Sequence, residues 1–229
     1  MISARHSNRK LHNWLIYDIN DRLLERFSAY YRGRLLDLGA GEAVYRDFFL
    51  GHADEYIALD WTSSYHDTKV DVVVDLNRPL PLASGVADTV VSISVLEHLC
   101  EPGTMIAEAF RILKPGGSLV LQVPWQWWIH EAPHDYFRYT PFGLNYLLSK
   151  AGFEGIQIYP LAGFFTTAVL KFNYFTNRFV GGPRVVQWLA RFLLVPVWYL
   201  GQIAAKPLDK LDKSWEKESP GYFVVALKP

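Results

Sequence analysis

The sequence has a single cysteine, Cys100, and no excess of charge of either sign, with 23 basic and 23 acidic residues. One cysteine excludes an internal disulfide framework and fits a reducing compartment. We expect Cys100 to be a small buried residue at the start of a helix. Nucleic-acid-binding domains are normally strongly basic, so the charge balance argues against a nucleic-acid partner. These features favour a cytoplasmic protein.

Long uncharged segments are also scarce. Two of them in the last third of the chain are residues 155–170 and 192–205, and the second contains Pro196. Both are shorter than the roughly 20 apolar residues that a membrane-spanning helix needs. Basic side chains interrupt the first ten positions, so we expect no secretory signal. The sequence therefore predicts no transmembrane helix and leaves a buried or interfacial helix open.

Strand-like and helix-like patterns alternate along most of the chain. This alternation predicts an α/β fold with a doubly wound, mostly parallel sheet of seven strands. The expected strands are 34–38, 56–59, 70–74, 89–94, 118–123, 153–159 and 222–227, and the expected helices include 11–30, 42–50, 104–113 and 141–151. We predict an N-terminal helical segment (1–33), a main domain (34–160 with 220–229) and a helical insertion (161–219).

A glycine turn follows the first strand. Gly39 and Gly41 flank Ala40 there, and residues without a Cβ let a ligand approach the backbone closely. A dinucleotide-binding turn would have a third glycine near position 44, where this sequence has Val44. A nicotinamide-dependent oxidoreductase is therefore disfavoured, although a two-glycine turn alone is weak evidence.

Acidic residues occupy the ends of the next two strands. Asp60, followed by Trp61, comes about 20 residues after the turn, where a carboxylate can accept both hydroxyls of a ribose. Asp75 would suit an adenine amino group; for both, an ordinary loop aspartate is the alternative. Asp37 lies within an apolar strand and needs donors, from a ligand ammonium or from backbone amides. A nucleoside with a small cationic end, S-adenosylmethionine (SAM), fits this pattern.

These motifs in this order resemble the class I SAM-dependent methyltransferases, over about residues 34–159. The resemblance implies that the turn faces the methionine moiety, that the ribose and adenine follow along the strand ends, and that an antiparallel last strand lies beside the sixth. The residues it implies for the cofactor are Asp37, Gly39, Gly41, Asp60, Asp75, Leu76 and Ser94. Residues 134–141 also resemble a signature of a subset often associated with surface-glycan pathways.

Two groups of residues could supply a general base. Glu97 and His98 follow the fourth strand, and the segment 130–139 follows the fifth; the alternatives are a helix-capping pair and a packing lid. We predict His134 as base, oriented by Asp135, with His98 as a second candidate. The residues predicted to contact the acceptor are His130, Tyr136, Arg138 and Trp125.

A metal site formed by His130, His134 and Asp135 is disfavoured. The sequence has no second ligand cluster at a spacing typical of zinc sites. We therefore expect no metal.

The segment after residue 161 is apolar and aromatic, with basic residues spaced through it. The basic residues are Lys171, Arg178, Arg184, Arg191 and Lys206. This pattern is typical of an amphipathic helix at a membrane surface. A buried cap over the acceptor site and a homodimer face are the alternatives.

Together these features predict a SAM-dependent methyltransferase. The acceptor would be a small or lipid- or glycan-linked molecule, methylated at oxygen. A non-catalytic binding or regulatory subunit that keeps the fold is the alternative from another class.

Overall fold

Seven strands form one mixed sheet in the computed structural model, which describes residues 3–61 and 70–229. The strands are β1 (Arg34–Leu38), β2 (Glu55–Asp60), β3 (Val72–Val73), β4 (Ala87–Ile93), β5 (Leu113–Pro124), β6 (Glu154–Pro160) and β7 (Gly221–Leu227). Their order is β3-β2-β1-β4-β5-β7-β6. The first five are parallel, and β7 is antiparallel to both β5 and β6. The predicted α/β fold and the antiparallel last strand are confirmed.

Helices cover both faces of this sheet. They are α1 (Trp14–Arg26), α2 (Arg46–Leu50), α3 (Pro102–Ile112), α4 (Pro141–Ala151), α5 (Phe164–Asn177) and α6 (Arg184–Asp209). Alternate residues of a strand point to opposite faces, so Leu36 and Leu38 join the core beneath α3 and α4, whereas Leu35 joins the core beneath α1 and α2. Both faces of β1 are buried, which is why it reads as a continuous apolar run.

The helix α4 has the ends that the sequence predicts. The Thr140 hydroxyl accepts a hydrogen bond from the Gly143 amide at 3.1 Å, and Pro141 occupies the first turn. Gly152 ends the helix with a φ of 101°, in the left-handed region that glycine adopts without a steric penalty.

Several predicted boundaries are wrong. The helix predicted over 42–50 is only α2, because Gly41 and Ala43 have positive φ angles (53° and 50°) and form a separate turn. The helix predicted over 11–30 is α1 followed by a short 3₁₀ turn. Cys100 is exposed and its thiol donates to the Asn77 side chain at 3.3 Å, so its predicted burial is also wrong. Residues 1 and 2 of the predicted N-terminal segment lie outside the described residues.

The helix α6 is longer than the sequence suggests. It has 26 residues and continues through Pro196 and Pro207. Of the described residues, it forms the one helix long and apolar enough to cross a membrane by length and composition, and 17% of its most apolar window is buried. The length argument against a spanning helix counted only the uncharged run 192–205, and it is therefore wrong.

The end of α6 holds the beginning of α5. The buried Asp209 carboxylate accepts hydrogen bonds from the amides of Gly163 (3.0 Å), Phe165 (2.8 Å) and Thr166 (3.3 Å). Amides in the first turn of a helix have no partner within the helix, so this aspartate acts as a cap from a distant part of the chain.

Replacing Asp209 with Ala should destabilise the protein. The change leaves three amides without their acceptor, and we expect a loss of about 1–3 kcal/mol in the free energy of unfolding. Urea unfolding followed by circular dichroism would measure it, with Asp54→Ala as the control because Asp54 is exposed. Equal stability of both variants would contradict the capping role.

Candidate active site

A cavity of about 450 Å³ lies at the carboxyl ends of β1, β2 and β4. Its size is within the range of small-molecule sites, and its position is where open α/β sheets bind ligands. Residues predicted for the cofactor line it: Asp37, Gly39, Gly41, Asp60, Trp61, Asp75, Leu76 and Ser94.

The glycine turn requires glycine at Gly39. Its φ is 80°, and a Cβ there would lie 2.4 Å from a methyl group of Val95. The amides of Gly39 and Ala40 donate to the Leu59 carbonyl at 2.8 and 3.2 Å. The turn is thereby held against the end of β2 and exposes its backbone to the cavity.

Asp60 holds this turn as well as lining the cavity. One carboxylate oxygen accepts from the Gly41 amide and the other from the Trp61 amide, both at 2.7 Å. Each carboxylate oxygen can accept a further hydrogen bond. This positioning role was not predicted from the sequence.

Asp37 finds its donor in the neighbouring strand. The Tyr56 hydroxyl donates to its carboxylate at 2.6 Å. Burial raises the pKa of Asp37 to about 7, against the lowering effect of this hydrogen bond. The sequence-based expectation of a ligand ammonium or backbone donors missed Tyr56, although a tyrosine on an adjacent strand is a visible candidate.

The remaining cofactor candidates have less unusual surroundings. Asp75 accepts from the Asn77 amide at 3.0 Å and pairs with Arg78 at 3.2 Å, so it also acts as a turn aspartate. Leu76 is buried. Ser94 has a φ of 56°, and its hydroxyl donates to the Gln122 side chain at 2.7 Å.

These residues fit a cationic nucleoside. The glycine turn leaves room for a ligand beside the backbone, and the Asp60 carboxylate, an acceptor of hydrogen bonds, lines the same cavity. A cation beside Asp37 would offset the cost of ionising a buried carboxyl group. Val44 lines the same cavity in place of the third glycine of dinucleotide sites.

Glu97 and His98 lie on a 3₁₀ turn at the other end of the cavity. Glu97 is fully buried, and neither of its carboxylate oxygens has a hydrogen-bond partner among the described residues. Burial raises the pKa of Glu97 to about 8. The Nδ1 atom of His98 lies 2.6 Å from the His134 carbonyl oxygen. Since a carbonyl only accepts, this nitrogen carries the proton.

Asp135 orients His130 and not His134. Its carboxylate accepts from the His130 amide at 2.8 Å and lies 3.4 Å from His130 Nδ1. Burial alone would raise the pKa of Asp135, but hydrogen bonds from Arg138 and the His130 amide outweigh it and lower the pKa to about 2. The reason for preferring His134 over His130 is therefore wrong.

His134 borders the cavity next to Trp61. Their ring centres are 5.2 Å apart, and His134 Nδ1 lies 3.2 Å from the Tyr136 hydroxyl. A turn lies between His130 and His134: Glu131 has a φ of 53°, and the His134 amide donates to the Glu131 carbonyl at 3.1 Å.

Three of the predicted acceptor contacts are not in the cavity wall among the described residues. Trp125 packs against Tyr222, with ring centres 5.7 Å apart. Tyr136 is exposed, and Arg138 is bonded to Asp135 and to the Trp128 carbonyl. His130 does line the cavity.

An aromatic wall, formed by Trp127, Trp128 and Tyr174, lines the cavity instead. The two tryptophan rings stack with centres 4.2 Å apart, and Tyr174 lies 4.0 Å from Trp128. Tyr174 belongs to α5. Trp127 and Trp128 were weighed as an acceptor platform from the sequence; Tyr174 was missed because it comes from the insertion.

The buried Asp37 should make stability depend on pH. Between its ordinary value of 3.8 and about 7, the folded state keeps a proton that the unfolded state has lost, so stability falls as pH rises through this window. Asn does not titrate, so the Asp37→Asn variant does not lose stability in this way. The free energy of unfolding of the variant minus that of the parent should therefore increase by up to about 4 kcal/mol between pH 4 and pH 8.

Urea unfolding of the ligand-free protein at several pH values would measure the Asp37 effect. Asp47→Asn is the control because Asp47 is exposed. A constant difference between Asp37→Asn and the parent from pH 4 to pH 8 would contradict the raised pKa.

Comparison with known proteins agrees with this geometry. Residues 36–121 match the family model described as a methyltransferase domain. A probable SAM-dependent methyltransferase of Mycolicibacterium smegmatis is 30% identical over 134 residues, which is 52% of this chain and 51% of that protein. A ubiquinone biosynthesis O-methyltransferase of Cereibacter sphaeroides is 25% identical over 54% of this chain and 61% of its own length.

Solved structures share the fold across most of this chain. A SAM-dependent methyltransferase from Archaeoglobus fulgidus has a TM-score of 0.59 at 17% identity, covering 92% of this chain and 94% of that one. Phosphoethanolamine N-methyltransferase 2 of Haemonchus contortus, in complex with SAM, has a TM-score of 0.59 at 18% identity over 96% of this chain and 56% of that one.

The chain spans about half to three fifths of the curated relatives it matches. Neither the non-catalytic alternative nor the nicotinamide alternative is favoured by these matches. Residues 36–121 match a methyltransferase domain, and the chain shares the fold of solved methyltransferase structures.

Proposed function

We propose that this protein transfers a methyl group from SAM to a hydroxyl oxygen of a small or lipid- or glycan-linked acceptor. One observation carries the proposal. A single cavity is lined by the glycine turn and Asp60 and also by three histidines and the aromatic wall.

The cofactor end would hold SAM through groups described above. Asp60 would accept the ribose hydroxyls, Asp37 would face the cationic methionine end, and Leu76 with Asp75 would flank the adenine. When bound, SAM supplies a sulfonium methyl group that a nucleophile displaces in line. The chain's own contribution is to hold the acceptor on that line, because positioning supplies much of the rate in such reactions.

The acceptor end suits a hydroxyl group. A hydroxyl acceptor profits from a base in the transition state, and His98, His130 and His134 all border the cavity. We retain His134 as the proposed base because it lies beside Trp61 on the cofactor side, with Tyr136 fixing its ring. The aromatic wall would pack against an apolar or ring-containing acceptor.

A lipid-linked acceptor is supported by the outer surface of α5, α6 and the loop between them. They expose large apolar side chains among basic residues: Phe172, Phe175, Phe179, Val185, Trp188, Phe192, Leu193 and Leu200, with Lys171, Arg178, Arg184 and Arg191. Apolar and aromatic groups interleaved with cations fit an anionic lipid surface. We define these residues as the apolar face.

The second half of α6 is fixed to the domain. Gln202 bonds the Leu15 amide at 3.1 Å, Lys206 pairs with Asp18 at 2.8 Å, and Asp209 caps α5. These polar contacts favour a helix lying on a lipid surface over one that crosses it. The proposed place of action is therefore the membrane surface of the cytoplasm.

Cofactor binding is the direct test of the proposed function. Calorimetry with SAM and S-adenosylhomocysteine should detect binding by the parent protein. In the Asp60→Ala variant, loss of charge-assisted hydrogen bonds worth about 1.5–3 kcal/mol should weaken binding roughly 10- to 100-fold. Asp47→Ala is the control. Absence of binding by the parent, or equal affinity in Asp60→Ala, would contradict the proposed SAM site.

The membrane proposal is tested by vesicle sedimentation. The double variant Trp188→Glu and Phe192→Glu places acidic groups on the apolar face, and its binding to vesicles containing anionic lipid should fall at least tenfold. Phe142→Glu is the matched control because Phe142 is 86% exposed on α4. If the parent and the double variant sediment equally, or the parent does not sediment, the apolar face does not bind lipid. Gel filtration of the same proteins reports a dimer instead.

A further inference from the structure

Three potential metal ligands converge at the acceptor end of the cavity. Glu97, His98 and His130 each bring one donor atom within 4.8 Å of the others. Two come from the 3₁₀ turn after β4 and the third from the loop after β5, so the cluster exists only in the folded chain.

The surroundings of Glu97 favour a bound cation. Its side chain is fully buried, and both carboxylate oxygens lack a hydrogen-bond donor among the described residues. The Arg138 guanidinium, whose charge acts on Glu97 through space, pairs through Nη1 and Nη2 with Asp135, and its Nε atom has no partner among the described residues. A buried carboxylate without a donor is costly unless a cation compensates it.

Both histidines have an outer hydrogen-bond partner at Nδ1. The Nδ1 atom of His98 donates to the His134 carbonyl at 2.6 Å. The Nδ1 atom of His130 faces the Trp128 carbonyl at 3.2 Å and the Asp135 carboxylate at 3.4 Å. These partners only accept, so each Nε2 is left with its lone pair. Metal-binding histidines almost always have such an outer partner.

We propose that Glu97, His98 and His130 bind one divalent transition-metal ion, with Zn²⁺ preferred. Two imidazoles and one carboxylate are a common catalytic zinc set that leaves a position open. Zinc–nitrogen bonds are about 2.0–2.1 Å long, so binding would draw the side chains together.

This proposal reverses the expectation of no metal. That expectation rested on the lack of a second ligand cluster in the sequence, and it considered His130, His134 and Asp135. In the fold, Asp135 is an outer partner of His130, and His134 contributes its carbonyl oxygen to His98. Glu97 and His98 are the second cluster.

The role of the metal rests on the proposed function, whereas metal binding does not. The cluster borders the cavity near the aromatic wall, so the open position would take an oxygen of a hydroxylated acceptor. A metal ion lowers the pKa of a bound hydroxyl group. The hydroxyl proton would pass to His134, the oxygen would bond to the methyl carbon as the carbon–sulfur bond of SAM breaks, and S-adenosylhomocysteine would leave.

The test is metal uptake by the full chain after treatment with a chelator. Titration with Co²⁺ followed by visible absorption, and with Zn²⁺ followed by calorimetry, should each give one ion per chain. Glu97→Gln and His130→Asn should weaken uptake at least tenfold, whereas His52→Asn, outside the cluster, should not. Circular dichroism confirms folding, and His98→Asn is the second variant if Glu97→Gln does not fold.

The outcomes separate the two proposals. No stoichiometric uptake by the parent, or equal uptake by the parent, Glu97→Gln and His130→Asn, overturns the metal site. SAM binding without metal uptake overturns the metal site and leaves the proposed function standing. Metal uptake that is lost in the cluster variants supports the site even if SAM does not bind, and that result would overturn the proposed function alone.

Discussion

Burial of carboxylates at one edge of the sheet is the constraint on which the site depends. The three carboxyl groups concerned differ in their partners. Asp37 takes one hydrogen bond from Tyr56 and has its pKa raised to about 7, Asp135 is paired on both oxygens with Arg138, and Glu97 has no donor among the described residues. The first and third leave a deficit of positive charge facing the same cavity. These two carboxyl groups therefore favour a cationic ligand, because a carboxylate that is fully paired within the protein interacts little with a further cation.

Local patterns predict most of the sheet and the cofactor end of the site. β1 matches its predicted range because its apolar run and the following glycine turn are local signals. The α4 helix does so because its threonine cap and terminal glycine are local too. The acceptor end could not be predicted from local patterns, because the loop after β5 folds back onto the turn after β4. His98 meets the His134 carbonyl 36 residues away, and no spacing rule relates these positions.

The error over α6 has a related cause. Counting uncharged residues treats Arg191 and Lys206 as the ends of the apolar run. In an amphipathic helix, however, charged residues lie on the polar face and do not end the helix. The pattern that matters is which side is tied to the domain. Gln202, Lys206 and Asp209 bond to α1 and α5, and the opposite side is left apolar. The spacing of apolar residues could therefore predict the helix α6, whereas the side that contacts α1 and α5 is known only from the tertiary structure.

Attachment also links the apolar face to the cavity. Tyr174 contributes to the aromatic wall, and its hydroxyl accepts a hydrogen bond from Asn13 at 3.2 Å, which joins α5 to the segment before α1. The same helix exposes Phe172 and Phe175 on its outer side. A lipid-linked acceptor could therefore keep its chain against the apolar face while its polar head entered past Trp128. In that arrangement the acceptor hydroxyl would lie beside Glu97, His98 and His130, while the lipid stayed on the apolar face. The aromatic wall would then recognise the apolar part of the acceptor, and the polar cluster would bind the reacting oxygen.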